Sequence, residues 1–572
     1  MLRALLLLVL FVSCSVSGRT GVGSSGLLLI SGGTIVTLND ARPEVEALLV
    51  REGRISAMGT LEQVLAEPGA LEAERFDLKG EVLYPGFVDG HAHLVGIGMN
   101  LLQVDLMGTS SYQAVVQRVE RFVEQNPVAE GGWVMGRGWD QNDWPEQRFP
   151  THNLLSLAFP DVPVVLSRVD GHAILANRKA MDLAGINRST ADPEGGAILR
   201  DRQGRATGVF IDNAESLILR HVPAADDFQV EQAIRLAAEA LQKAGLTAIH
   251  DAGIDQRTVD LCMQLAARGE LGIRVYGMVP GSNTAQLDAW LARGPQIDPT
   301  DQVTVRAIKL YADGALGSRG AALLEDYSDD PGNRGLLVTP AERIREVADR
   351  AIEAGFQVCT HAIGDRANRQ VLDAYEAAFE AARASGGNPG DHRFRVEHAQ
   401  VLSPQDIPRF RQLGVIPSMQ TQHQTSDAPW AEDRLGAQRV RGAYAWRSLL
   451  DTGVVICGGS DAPVEVLDPI ASFRAAVTRT DAEGWPDGGW FAEEAMTRRE
   501  ALLHLSAWPA YAAFQEDRLG VLRPGTRADF TVLDADLRAL PEPELDQARV
   551  TATIFNGEVV FRARPRPRAA LR

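Results

Sequence analysis

Hydrophobic positions along the chain fall in short runs whose style changes twice. From residue 27 to about residue 84 they form strand-like clusters, Leu28-Leu29-Ile30, Thr34-Ile35-Val36-Thr37-Leu38 and Ala47-Leu48-Leu49-Val50, broken by Gly32-Gly33 and Gly53. The far end returns to the same style in Asp529-Phe530-Thr531-Val532-Leu533, Val550-Thr551-Ala552-Thr553-Ile554-Phe555 and Val559-Val560-Phe561. Asn556-Gly557 between the last two runs is a strong hairpin signal. Short β segments at both ends, with a different pattern between them, predict that the ends meet. The expectation is one small β-sandwich domain built from residues 27–84 and 515–562.

Between these ends apolar runs alternate with stretches of helical periodicity. Strands are expected at 82–89, 246–251, 274–279, 305–311, 356–361, 394–398, 415–420 and 454–458, with helical segments such as 230–244, 340–354 and 366–384 between them. Eight strands with crossover helices predict an α/β fold, a (β/α)8 TIM-like barrel over residues 85–514, whose catalytic groups belong at the C-terminal ends of the strands. The gap between the first two strands is too long for a simple crossover. Residues of about 101–223 therefore form an insertion after strand 1, and its polar aromatic segment 133–144 is expected to cap a pocket.

The first residues break from both patterns. Arg3 precedes an apolar run from Ala4 to Val12, followed by the small residues Ser13 to Gly18, so residues 1–18 are expected to be a secretory signal peptide, too short to span a bilayer as a mature helix. Phe11-Val12-Ser13-Cys14 also resembles a bacterial lipobox, which leaves two outcomes, a lipid-anchored protein acylated on Cys14 or simple cleavage and release. Either places the chain outside the cytoplasm, in the periplasm or beyond. Of the four cysteines, Cys262, Cys359 and Cys457 remain after the leader, without pairing-like spacing, and read as small buried hydrophobes. A net charge of −18 excludes nucleic acid as a partner. The partners expected are a small-molecule substrate, a membrane where Cys14 carries a lipid, and a second copy of the chain in a homodimer. Residues 563–572 are a basic Arg/Pro tail with no assigned role.

The chemistry gathers at the expected strand ends. His91 and His93 follow strand 1, and residues two apart on a strand point to the same side, here into the barrel. Two hydrogen-bonded core histidines would explain that pair alone, but Lys309, His361, His398 and Asp461 end strands 4, 5, 6 and 8. Six ligand-type residues on five strand ends point to a metal centre. A lysine inside a barrel is ordinarily neutralised or expelled. Carboxylated by carbon dioxide, it becomes an anionic carbamate able to bridge two cations.

With these residues in place, the chain resembles the amidohydrolase superfamily. Lys309-Leu-Tyr-Ala-Asp-Gly-Ala-Leu-Gly-Ser-Arg-Gly-Ala321, His361-Ala-Ile-Gly-Asp-Arg-Ala-Asn368, Gly459-Ser-Asp-Ala-Pro-Val464, Asp170-Gly-His-Ala173 and Gly136-Arg-Gly-Trp-Asp140 resemble the family 3 amidohydrolases, a group that includes YtcJ-like proteins and N-substituted formamide deformylases. The resemblance implies that His91, His93 and Asp461 hold one cation, that His361 and His398 hold another, and that carboxylated Lys309 bridges them, zinc suiting this set best. It implies a metal-activated hydroxide as nucleophile, with Asp461 as the catalytic general base and then general acid. The function so implied is hydrolysis of carbon–nitrogen bonds other than peptide bonds, in a small N-acyl or N-formyl amine. The alternatives are a lactonase or cyclic-amide hydrolase of the same superfamily, and a non-catalytic exported binding protein that keeps the fold. His172, Trp139, His423 and Arg319 are the expected substrate-binding residues.

Overall fold

The computed structural model describes residues 26–128, 131–223, 225–386 and 389–564. The leader with Cys14, and the tail from residue 565 onward, lie outside the described residues.

Eight parallel strands form the central sheet: β1 (Phe87–Ala92), β2 (Leu246–Asp251), β3 (Arg274–Pro280), β4 (Val303–Tyr311), β5 (Gln357–Ala362), β6 (Arg395–His398), β7 (Ile416–Gln420) and β8 (Cys457–Gly459). Each pairs with the next in sequence, and the two edge strands β1 and β8 stand side by side, so the barrel is nearly closed. Backbone bonds complete the seam beyond the strands, from Asp461 N to His91 O at 2.6 Å and from His93 N to Ala462 O at 2.9 Å. Gly90 and Gly459 make this approach possible. A Cβ on Gly90 would stand 2.3 Å from Gly458 O, and one on Gly459 would stand 2.5 Å from His91 N.

Helices sheath the barrel by burying one stripe each. Asp227–Lys243 begins with a capping box between Asp226 and Gln229 and buries Val230, Ala233, Ile234, Ala237, Ala238 and Leu241, the three-and-four spacing of an amphipathic helix. It ends just before Gly245, whose φ of 85° suits glycine. Its apolar stripe joins the largest core, which includes Ile249, Val275 and Ile308 from the strands.

The two chain ends meet in one continuous eight-stranded sheet. The physical reason lies in strand Leu27–Val36, which bends at Gly32-Gly33 and changes neighbours there. Before the bend it pairs with Glu74–Asp77, and after it with Val82–Pro85. One sheet thereby curls around its own core of Leu28, Ile30, Leu48, Val50, Phe530, Val532 and Ile554. The predicted strand 82–89 is likewise two strands, Val82–Pro85 in this sheet and β1 in the barrel, parted at Gly86.

Residues between β1 and β2 carry a six-stranded sheet of their own, from Val104–Asp105 to Ala206–Asp212. One of its two cores contains Trp139, Trp144, Leu155 and Leu166.

Candidate metal centre and cavity

The strand ends bring five of the six predicted ligands to full or near-full burial: His91, Lys309, His361, His398 and Asp461 are between 0% and 7% exposed. The side chain of His93, at the rim, is 33% exposed. His398 and Asp461 have φ of 72° and 58°, a left-handed backbone that is uncommon for residues with side chains and that clusters at functional sites. Asp89 braces Asp461 from below. Its carboxylate accepts from Ser460 N at 2.9 Å, from Ser460 Oγ and from His91 N at 3.2 Å, fixing the end of β1 to the loop after β8.

A metal centre needs imidazoles with one nitrogen free, and the other nitrogen held by a protein acceptor. His91, His398 and His361 meet that condition. His91 Nδ1 is bonded to Glu397 Oε2, and Glu397 is in turn paired with Arg395 at 2.7 Å. His398 Nδ1 donates to Gln420 Oε1 at 2.8 Å. His361 turns Nε2 toward Gly314 O at 3.5 Å, leaving Nδ1. Facing inward, His93 Nε2 lies 3.0 Å and His91 Nε2 3.4 Å from Asp461 Oδ1. One donor atom from each of His91, His93 and Asp461 lies within 4.8 Å of the others. The residues fit a divalent cation.

Lys309 adjoins this triad at His91, and His361 adjoins His398. Lys309 Nζ is 3.5 Å from His91 Nε2 and 4.7 Å above the Tyr311 ring, and the His361 ring centre is 4.5 Å from that of His398. Burial holds the Lys309 ammonium below its usual pKa, against the opposing pull of Glu397 and Asp461. Burial would raise Asp461, but hydrogen bonds from His423, His91 and His93 keep it well below the usual carboxylate range. Burial would also raise Glu397, and Arg395 and His91 overcome it and keep that carboxylate charged.

A cavity of about 140 Å³ opens between this centre and the insertion. His361, His398, His423 and Asp461 line it from the barrel, and Asp140, Arg168, Asp170 and His172 from the insertion. His172 Nδ1 is bonded to Asp212 Oδ1 at 2.7 Å, and its ring centre is 5.4 Å from that of His361. Burial alone would lower His172, but Asp212 and Asp170 push it up to about 9. Arg168, whose side chain is 1% exposed, is bonded to Asp140, Asp170 and Gln141.

Two predicted substrate contacts are not there. Trp139 is fully buried in the insertion's core and donates Nε1 to Leu166 O at 2.8 Å, because a register shift at Gly138 turns it to the same side as Val134. Trp144 is buried beside it and donates to Thr109 O at 2.9 Å. The segment instead gives the cavity Gly138, Asp140 and Asp143. Arg319 is outside the cavity wall, paired with Asp329 at 2.8 Å. Asp212, Asp427 and Glu465 escape sequence reasoning. Each is a lone carboxylate whose partner lies on another element.

Comparison with known proteins agrees with this geometry. The pattern of the Amidohydrolase family matches residues 74–561. YtcJ of Bacillus subtilis (strain 168) is 34% identical over 538 residues, which covers 93% of this chain and 98% of that protein. The N-substituted formamide deformylase of Arthrobacter pascens is 27% identical over 547 residues, covering 93% of this chain and 97% of the relative. Among solved structures, an uncharacterized metal-dependent hydrolase from Pyrococcus horikoshii OT3 superposes with a TM-score of 0.73 at 27% identity, over 90% of this chain and 99% of that one.

Proposed function

The chain belongs to the amidohydrolase family of metal-dependent hydrolases that act on carbon–nitrogen bonds, and we propose that its substrate is a small N-formyl or N-acyl amine. The observation that carries this reading is the set of inward imidazole nitrogens converging with Asp461 beside the cavity. The formamide deformylase among its relatives supports the choice of substrate class.

Under this reading His91, His93 and Asp461 would hold one divalent cation, His361 and His398 would hold a second, and Lys309, as a carbamate, would serve both. Burial favours the neutral Lys309 amine, the form that combines with carbon dioxide. Zinc suits the mixed imidazole and carboxylate set. Such cations acidify water and polarise a carbonyl. The chain's own groups do the rest. Asp461 takes a proton from water at Oδ2 and returns it to the departing nitrogen. His172, anchored by Asp212, offers Nε2–H to the substrate oxygen from the opposite wall. Arg168 is the one arginine lining the cavity among the described residues, no lysine lines it, and that arginine is already bonded to two carboxylates. Export through the leader, soluble or anchored at Cys14, and assembly as a homodimer belong to the same proposal and rest on the sequence alone.

A hydrolysis screen of N-formyl amines, N-acyl amines, N-acyl amino acids, cyclic amides and lactones tests the reading. Turnover of the first two classes, lost on chelation and regained with zinc, is the expected result. Turnover confined to lactones or cyclic amides would replace it.

A further inference from the structure

His423 lines the cavity, yet its surroundings fit a second role. It lies in the first turn of helix Thr421–Arg439, directly after β7, which hangs its ring over the barrel mouth beside Asp461. Glu465 Oε1 accepts from His423 Nδ1 at 2.9 Å, and the same oxygen takes Ser426 Oγ. The ring is thereby fixed with Nε2 turned to Asp461 Oδ2, 3.5 Å away. It lies nearly parallel to the His398 ring, 5.9 Å between centres at 21°. One donor atom from each of His398, His423 and Asp461 lies within 4.8 Å of the others, the same closeness found for His91, His93 and Asp461. Glu465 thus serves His423 as Glu397 serves His91, a carboxylate holding the outer nitrogen so that the inner one is presented.

We infer that His423, oriented by Glu465, is a metal ligand that holds a divalent cation together with His398 and Asp461 on the cavity side of the centre. The inference rests on the metal-centre reading above and adds a ligand from the end of β7, where the six-residue pattern has none. Asp461 then serves both halves. Its Oδ1 is nearest His93 and His91, at 3.0 and 3.4 Å, and its Oδ2 is nearest His423. Oδ1, with two lone pairs, could meet both cations, which would leave Oδ2 to take the proton. Retention of the cavity-side cation then does not depend on Lys309 alone.

The test is zinc titration of the full-length chain against a chromophoric chelator, with the visible spectrum of the cobalt(II) form as a second readout. It compares wild type, His423→Asn and Glu465→Gln. The expected result is loss of one equivalent in His423→Asn, a weakening of the same equivalent by about tenfold or more in Glu465→Gln, and a changed cobalt spectrum in both. Should His423→Asn not fold, Glu465→Gln decides alone. Wild-type zinc affinity and an unchanged cobalt spectrum in the variants, even with slower turnover, would mean that His423 only hydrogen-bonds Asp461, and the inference fails. A wild type that binds no zinc would overturn the metal-centre reading itself, a result distinct from the previous one.

Discussion

The two walls of the cavity are built on opposite plans. The barrel presents histidines whose outer nitrogens are tied to Glu397, Gln420 and Gly314 and whose inner nitrogens are left free. The insertion presents charged groups that satisfy one another, Arg168 with Asp140 and Asp170, and His172 with Asp212. A wall with free donors can bind and activate. A wall whose charges are paired sets shape and polarity. The difference assigns chemistry to the strand ends and substrate choice to the insertion.

Substitutions on each side should therefore fail differently. Asp461→Asn should lower kcat by about 10²–10⁴, the usual contribution of a general acid–base group, while circular dichroism and melting stay near wild type. Near-normal turnover would place the base elsewhere. On the insertion side, Arg168→Gln leaves Asp140 and Asp170 facing each other without their cation. Breaking a buried pair in this way costs about 3–5 kcal/mol, so denaturant unfolding should shift strongly while zinc content is kept. Loss of zinc from that variant would dissolve the division between the walls.

Two smaller effects sharpen the contrast by acting away from the cavity. His504 and His392 are pushed down to about 4, chiefly by burial, so the fold holds them neutral while the unfolded chain protonates them near pH 6.5. The unfolded state then binds more protons below that pH. Their contribution is complete above pH 6.5 and is lost as pH falls through 4, on the order of 3 kcal/mol each. Melting of the metal-loaded protein should fall across that window, and His504→Gln should flatten the fall. Trp139→Phe removes one buried hydrogen bond, to Leu166 O, and should cost about 1 kcal/mol of stability with KM unchanged. A changed KM would return Trp139 to the substrate.

The barrel and the gathering of ligand-type residues at its strand ends were legible because both follow from local pattern. An apolar run ending in His-x-His or Ser-Asp announces a strand end and its chemistry without reference to the rest of the chain. What depends on pairing across the sequence was not legible. Trp139 sits on a short strand packed on both faces, and a register shift at Gly138 against the neighbouring strand decides which core it joins. Glu397 directly precedes His398 in the sequence, but the structure gives it to His91 on the strand that opens the barrel. Glu465 and Asp212 carry no motif at all, since a carboxylate means something only beside its histidine. The single curled sheet at the chain ends was hidden for a similar reason. Gly32-Gly33 marks a break, but only the strands on either side show that the break is a bend.

The most direct test of the account is the metal content of the purified full-length protein after exhaustive dialysis, measured together with amidase activity before and after chelation. The account predicts about two equivalents of zinc or a similar cation, activity that disappears with the metal and returns on its addition, and loss of both in His91→Asn. A protein that holds no stoichiometric cation and hydrolyses its substrate equally well in the presence of chelator would contradict it.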